Sequence, residues 1–210
     1  MFGKKLTILS LISLFAVGAV LLGCEDDPAY EHRTILITSS LNGGMPYLSD
    51  VLNQGDSVYT DDGVTFKLAD DFVAEDWIKV QFYNRPYSAI IDPCGGELGD
   101  FLVTGYDVEF VRVADGGPTP IPPGLPVAPF TGQTSILVPA QSMVEGYIVL
   151  VPFFEKNESP LVDLQYSASE ILALATLTFR GHEIGSGREV EFTAGISVNF
   201  ADPLEIEDID

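Results

Sequence analysis

The chain has 210 residues, with 31 acidic against 10 basic and a formal charge of −21 at neutral pH. So acidic a surface repels nucleic acid and argues against phosphate-backbone binding. Two cysteines and a hydrophobic share of 46% allow a packed core but not a disulfide framework.

Lys4 and Lys5 precede a run from Leu6 to Gly23 that carries no charge, the basic and apolar regions of a secretory signal. A run of this length is also long enough to span a bilayer, so its end decides between the two. There the tetrad Leu21-Leu22-Gly23-Cys24 resembles the lipobox at which bacterial signal peptidases cut lipoproteins. The resemblance implies cleavage before Cys24, diacylglycerol on its sulfur and usually a further acyl chain on its amine. Several chains, at about 0.8 kcal/mol per buried methylene, hold far more firmly than one. The expected partner is a membrane, reached through lipid. The expected place is the bacterial cell envelope, at the outer membrane or cell surface.

Residues 1–23 are therefore read as a signal peptide and 24–33 as an acidic tether. Glu25, Asp26 and Asp27 are repelled by anionic headgroups, which keeps the tether solvated. Acids in this place resemble the surface-export signals of some Bacteroidetes lipoproteins, while in enterobacteria related patterns favour inner-membrane retention. Removal of residues 1–23, Lys4 and Lys5 among them, leaves 187 residues with a formal charge of −23, the size of one domain.

From Thr34 onward the dominant pattern is alternation. Ser57 to Thr60 and Val64 to Leu68 are expected to pair across Asp62-Gly63, two residues that tolerate positive φ. Ile78, Val80 and Phe82 alternate with Lys79 and Gln81, and Tyr106, Val108 and Phe110 with Asp107 and Glu109, placing one face on a core. Gly116 to Pro126 holds five prolines and reads as a stiff extended connection crossing between two sheets. Tyr147 to Phe154 has no charge on either face and reads as a central strand, with a bulge or strand end near Pro152.

Ser167-Ala168-Ser169-Glu170 fits a capping box, yet alternation favours strand after Leu172. Leu172 to Arg180 is expected to pair with the longest pattern in the chain. In that pattern Val190, Phe192, Ala194, Ile196, Val198 and Phe200 face one way, with Gly181 to Gly187 as the hairpin loop. The expected fold is all-β, a single immunoglobulin-like antiparallel β-sandwich over residues 34–203, followed by an acidic tail, 204–210. Its architecture resembles immunoglobulin-like envelope modules, a likeness carried by the final hairpin and lacking the paired cysteines of antibody domains.

Catalytic patterns are scarce. His32 and His182 are the only histidines, His182-Glu183 has no second histidine at metal spacing, and no nucleophile elbow or phosphate loop occurs. Cys94, between Asp92 and Glu97, has acids that raise rather than lower a thiol pKa. With Cys24 carrying lipid it also has no disulfide partner. The expectation is a binding or structural module, not an enzyme, with a hydrolase using an acidic site as a weaker alternative.

The acids read first as solvated turn carboxylates of an acidic chain with no cofactor, and the cofactor they would take as the alternative is calcium, which needs hard oxygen ligands and negative charge. Asp70, Asp71, Glu75 and Asp76 are the first candidates, beside the clusters Asp56, Asp61, Asp62 and Asp92, Glu97, Asp100. Trp77, Tyr83 and Tyr87, near Asn84 and Arg85, form a candidate sugar-stacking face similar to the aromatic platforms of carbohydrate-binding sandwiches. A glycan or another envelope protein is the expected ligand of such a module.

Overall fold

The computed structural model describes residues 34–53, 58–61, 64–67, 72–86, 99–117 and 121–203. Cys24, the tether, Cys94 and the acidic tail lie outside them. The described residues form ten strands in chain order: β1 Thr34–Leu41, β2 Tyr47–Asp50, β3 Val58–Asp61, β4 Val64–Lys67, β5 Asp76–Pro86, β6 Phe101–Gly116, β7 Phe130–Val138, β8 Met143–Val151, β9 Glu170–Glu183 and β10 Glu189–Ala201. Among the described residues the only helical pieces are three-residue 3₁₀ turns, and no helix is long and apolar enough to cross a membrane.

The strands form an all-β sandwich, as expected. One sheet is ordered β1-β5-β8, the other β2-β10-β9-β6-β7, and β3 and β4 pair by themselves. Alternation decides which side chains meet between the layers. Ile78, Val80 and Phe82 of β5 and Ile148 and Leu150 of β8 face Phe101, Val103, Tyr106, Val108 and Phe110 of β6. Ile171 to Phe179 at odd positions of β9 and Ile196, Val198 and Phe200 of β10 complete one contiguous core. Phe82 meets Phe179 edge-on at 5.1 Å between ring centroids.

Tyr106 ties the two layers with a single side chain. Its ring lies over Gly132, its cross-strand partner on β7, where an added Cβ would sit 2.1 Å from Tyr106 Cζ. Only glycine leaves that space. The hydroxyl then accepts a hydrogen bond from the backbone N–H of Val149 on β8 at 3.1 Å. Burial pushes this phenol's pKa up.

Several expectations hold in detail. β3 and β4 pair with Asp61 opposite Val64. β9 and β10 pair along thirteen residues, although the ladder runs through His182, so the turn is shorter than the glycine-rich stretch suggested. β8 ends at Val151, next to Pro152.

Three readings are corrected. Tyr147 to Phe154 is not a central strand: β8 lies at the edge of its sheet, Tyr147 is 62% exposed and Phe153 and Phe154 are exposed beyond the strand end. An apolar outer face mimics two-sided burial in a sequence pattern. The proline-rich stretch joins β6 to β7, neighbours in the same sheet, so it does not cross between layers. Finally, among the described residues the strand pairs are antiparallel except β2 with β10, which run parallel.

Thr34 lies at one end of the sandwich, opposite Pro86. Buried Asn84 marks the same end by donating through Nδ2 to the carbonyls of Gly99 and Val138, at 2.9 and 3.2 Å. At the opposite end Asp50 pairs with Ala201 and Asp76 with Val151.

Candidate functional site

The outer face of the three-stranded sheet carries the residues singled out for stacking. Trp77, Lys79, Gln81 and Tyr83 follow one another on this face of β5, opposite Val149, Tyr147, Glu145 and Met143 of β8. Trp77 is 51% exposed, and its indole N–H donates to Glu75 Oε1 at 3.0 Å. Tyr83 shares the face but stands six residues, about 20 Å, from Trp77 at strand rise. One monosaccharide cannot reach both.

The nearer aromatic is Tyr147, diagonal to Trp77 across the β5–β8 pair and within reach of a long side chain. The sequence reading missed it as a surface residue because its neighbours are apolar. Between these aromatics and Tyr83 lies a polar ladder. Lys79 Nζ meets Glu145 Oε2 at 2.6 Å, and Ser39 Oγ donates to Gln81 Oε1 at 2.9 Å. The bond to Glu145 raises the Lys79 pKa. Asn84 points into the core and so leaves the stacking face, while Arg85 is exposed. Tyr87 lies outside the described residues.

The proposed calcium cluster divides. Asp70 and Asp71 lie outside the described residues, and Glu75 is exposed and engaged by the Trp77 indole. Asp76 is buried, and a lysine stands where a cation was expected. Lys156 Nζ, itself fully buried, donates to Asp76 Oδ1 at 2.7 Å and to the Asp50 carbonyl at 2.6 Å. Ser49 Oγ donates to Asp76 Oδ2 at 2.5 Å. Among the described residues no three of His, Cys, Asp or Glu gather as a metal site. In the third cluster, Asp100 Oδ1 accepts the Ala140 N–H at 2.8 Å.

The titration of this buried group follows from burial. Desolvation raises the Asp76 pKa against the pull of Lys156 and the hydroxyl donors, and it raises Asp50 in the same way. Burial, then the Asp76 charge, pushes the Tyr47 phenol upward. A serine beside a lysine and a carboxylate can serve as a nucleophile only if substrate reaches it. Ser49 and Lys156 are both at 0% exposure, so the cluster works as a latch, holding β2, β5 and the Glu155–Asn157 turn together.

His182 lies elsewhere, half-buried in an open groove of about 760 Å³ on the outer face of the five-stranded sheet, beside Arg180, Glu189 and Glu191. Arg180 there bonds Asp107 at 2.8 Å. No family model, no curated protein and no solved structure matches the chain.

Proposed function

We propose that this chain is a lipid-anchored module of the bacterial cell envelope, at the outer membrane or cell surface, that binds or braces rather than catalyses. The observation that carries the reading is Leu21-Leu22-Gly23-Cys24 at the end of the uncharged run behind Lys4 and Lys5. Residues 24–33 then form a tether that, fully extended, reaches about 33–36 Å, ending where β1 begins at Thr34. The formal charge of −23 on the processed chain keeps the body in water and off anionic headgroups.

Mass spectrometry of the protein from its native cells is expected to show Cys24 as the first residue with its sulfur acylated. Cys24→Ala is expected to abolish that processing and lipidation. A bare Cys24 thiol still joined to Gly23 would overturn the reading.

A second reading within binding is recognition of a glycan, with or without calcium. Exposed Trp77 and Tyr147 on adjacent strands favour it, since sugar faces stack on aromatic rings. Glycan titration with and without calcium should then show at least about a tenfold loss of affinity, about 1.4 kcal/mol, on Trp77→Ala. No glycan bound in either condition would remove it.

A further inference from the structure

Strands of the two layers meet at both seams of the sandwich, β7 with β8 and β1 with β10, and the second seam also holds a stretch of β10 that no described strand pairs. At the first seam β7 turns directly into β8, and Ile136 packs so tightly on Gly146 that an added Cβ would meet Ile136 Cδ1 at 2.4 Å. At the second β2 pairs only with Val198–Ala201 of β10. Among the described residues, no strand pairs with the outer edge of Glu189–Ser197. Alternate residues there aim N–H and C=O away from β9, toward the edge.

Burial along β10 follows the same division. Ile196, Val198 and Phe200 are buried, whereas Val190, Phe192 and Ala194, pointing the same way, are only half-buried. Between this edge and β1 runs a groove of about 420 Å³ lined by Thr38 to Leu41, Gly44 to Pro46 and Ala194 to Ser197. Thr38 Oγ1, on its wall, is buried without a hydrogen-bond partner. The β1 side is blunted by a register shift at Ser39, a device that discourages pairing, whereas β10 is regular.

We propose that the open edge of β10 takes an extended peptide whose residues alternate apolar and basic, added as a further strand of the five-stranded sheet. Apolar residues of such a strand would cover Val190, Phe192 and Ala194, while its other face would lie beside exposed Glu189 and Glu191. The same acids, with a net charge of −23 on the processed chain, repel a second copy and select a cationic strand. Backbone ladder bonds supply affinity and alternate side chains supply selectivity. The inference narrows the binding role proposed above, and its test is separate from that of the lipid anchor.

The full-length chain in detergent micelles would be titrated with a labelled octapeptide of alternating valine and lysine. Two controls accompany it: the valine–glutamate counterpart, and the valine–lysine peptide N-methylated at every second amide so that it cannot complete a ladder. Saturable binding is expected for the first, with both controls at least about 10-fold weaker, or 1.4 kcal/mol. Hydrogen exchange should slow at Ala194–Ser197. Glu191→Lys, an exposed outer-face change, should weaken the lysine peptide by a similar factor. Equal binding of the N-methylated peptide, protection confined to other strands, or dimerisation through this edge without peptide would each overturn the proposal. None of these results bears on acylation of Cys24, which mass spectrometry reads independently.

Discussion

Lys156→Met is expected to destabilise the sandwich by about 3–5 kcal/mol, because it leaves the Asp76 carboxylate buried and uncompensated. The ammonium satisfies both Asp76 Oδ1 and the Asp50 carbonyl. Asp76→Asn added to Lys156→Met should recover more than half of the loss, since the amide is neutral and still accepts from Ser49. Chemical denaturation of the three variants measures this, and a single-variant cost below about 1 kcal/mol would mean that the latch is open in solution.

The same pair sets a pH dependence with a definite sign. The folded pKa of Asp76 is raised by burial. The folded state therefore holds this proton at pH values where the unfolded chain has released it. That contribution is full below the unfolded pKa and is lost as pH rises through the folded value. The melting temperature should climb as pH falls through the raised folded value toward the ordinary carboxylate range. Relief of surface repulsion acts in the same direction, so the informative quantity is the difference between proteins. Without Lys156 the Asp76 pKa rises further, and the slope should steepen and extend to higher pH. Parallel slopes in wild type and Lys156→Met would count against this account of Asp76.

Period-2 patterning carried the fold because burial on one face is a local property. Ile78, Val80 and Phe82 needed no knowledge of what they would meet. The β3–β4 hairpin and the β9–β10 pair were legible for a related reason: both are joined by short connections, so sequence neighbours become ladder neighbours. β8 was misread because Met143, Tyr147 and Val149 line an outer face with apolar side chains, and alternation of two apolar faces leaves no periodic signal. The path of the proline-rich stretch was closed to sequence as well. Proline restricts φ and removes a donor but does not say which sheet receives the following strand.

The candidate sites were less legible than the fold. Lys156 and Asp76 stand 80 residues apart, and nothing local to either marks the other. In the sequence Asp76 stands as one of four candidate calcium ligands, and only its depth shows that a lysine takes that place. Trp77 was placed on the outer face by alternation alone, yet its companion proved to be Tyr147 on the neighbouring strand, because partners across a sheet are chosen by register. The open edge of β10 was hidden for the same reason. Its sequence alternates uniformly from Val190 to Phe200, and only the short reach of β2 divides it into covered and uncovered halves.

That division predicts unequal costs for two phenylalanines in one cluster. Phe179 is fully buried, edge-on to Phe82 at 5.1 Å and stacked on Phe192 at 5.4 Å. Phe179→Ala should therefore cost about 3–5 kcal/mol, the range for a ring removed from a core that cannot collapse around the cavity. Phe192 contacts the same rings but is only half-buried on the unpaired stretch of β10, so Phe192→Ala should cost about 1–2 kcal/mol in the free protein. Pairing that stretch changes this comparison. A strand laid along β10 would cover the exposed side of Phe192 but leave Phe179 unchanged. At saturating valine–lysine peptide, urea denaturation should show wild type gaining stability by mass action. Phe192→Ala should gain less, because a truncated side chain offers the strand less apolar surface. Equal gains in the two proteins would mean that the peptide does not lie against this face, whatever its affinity.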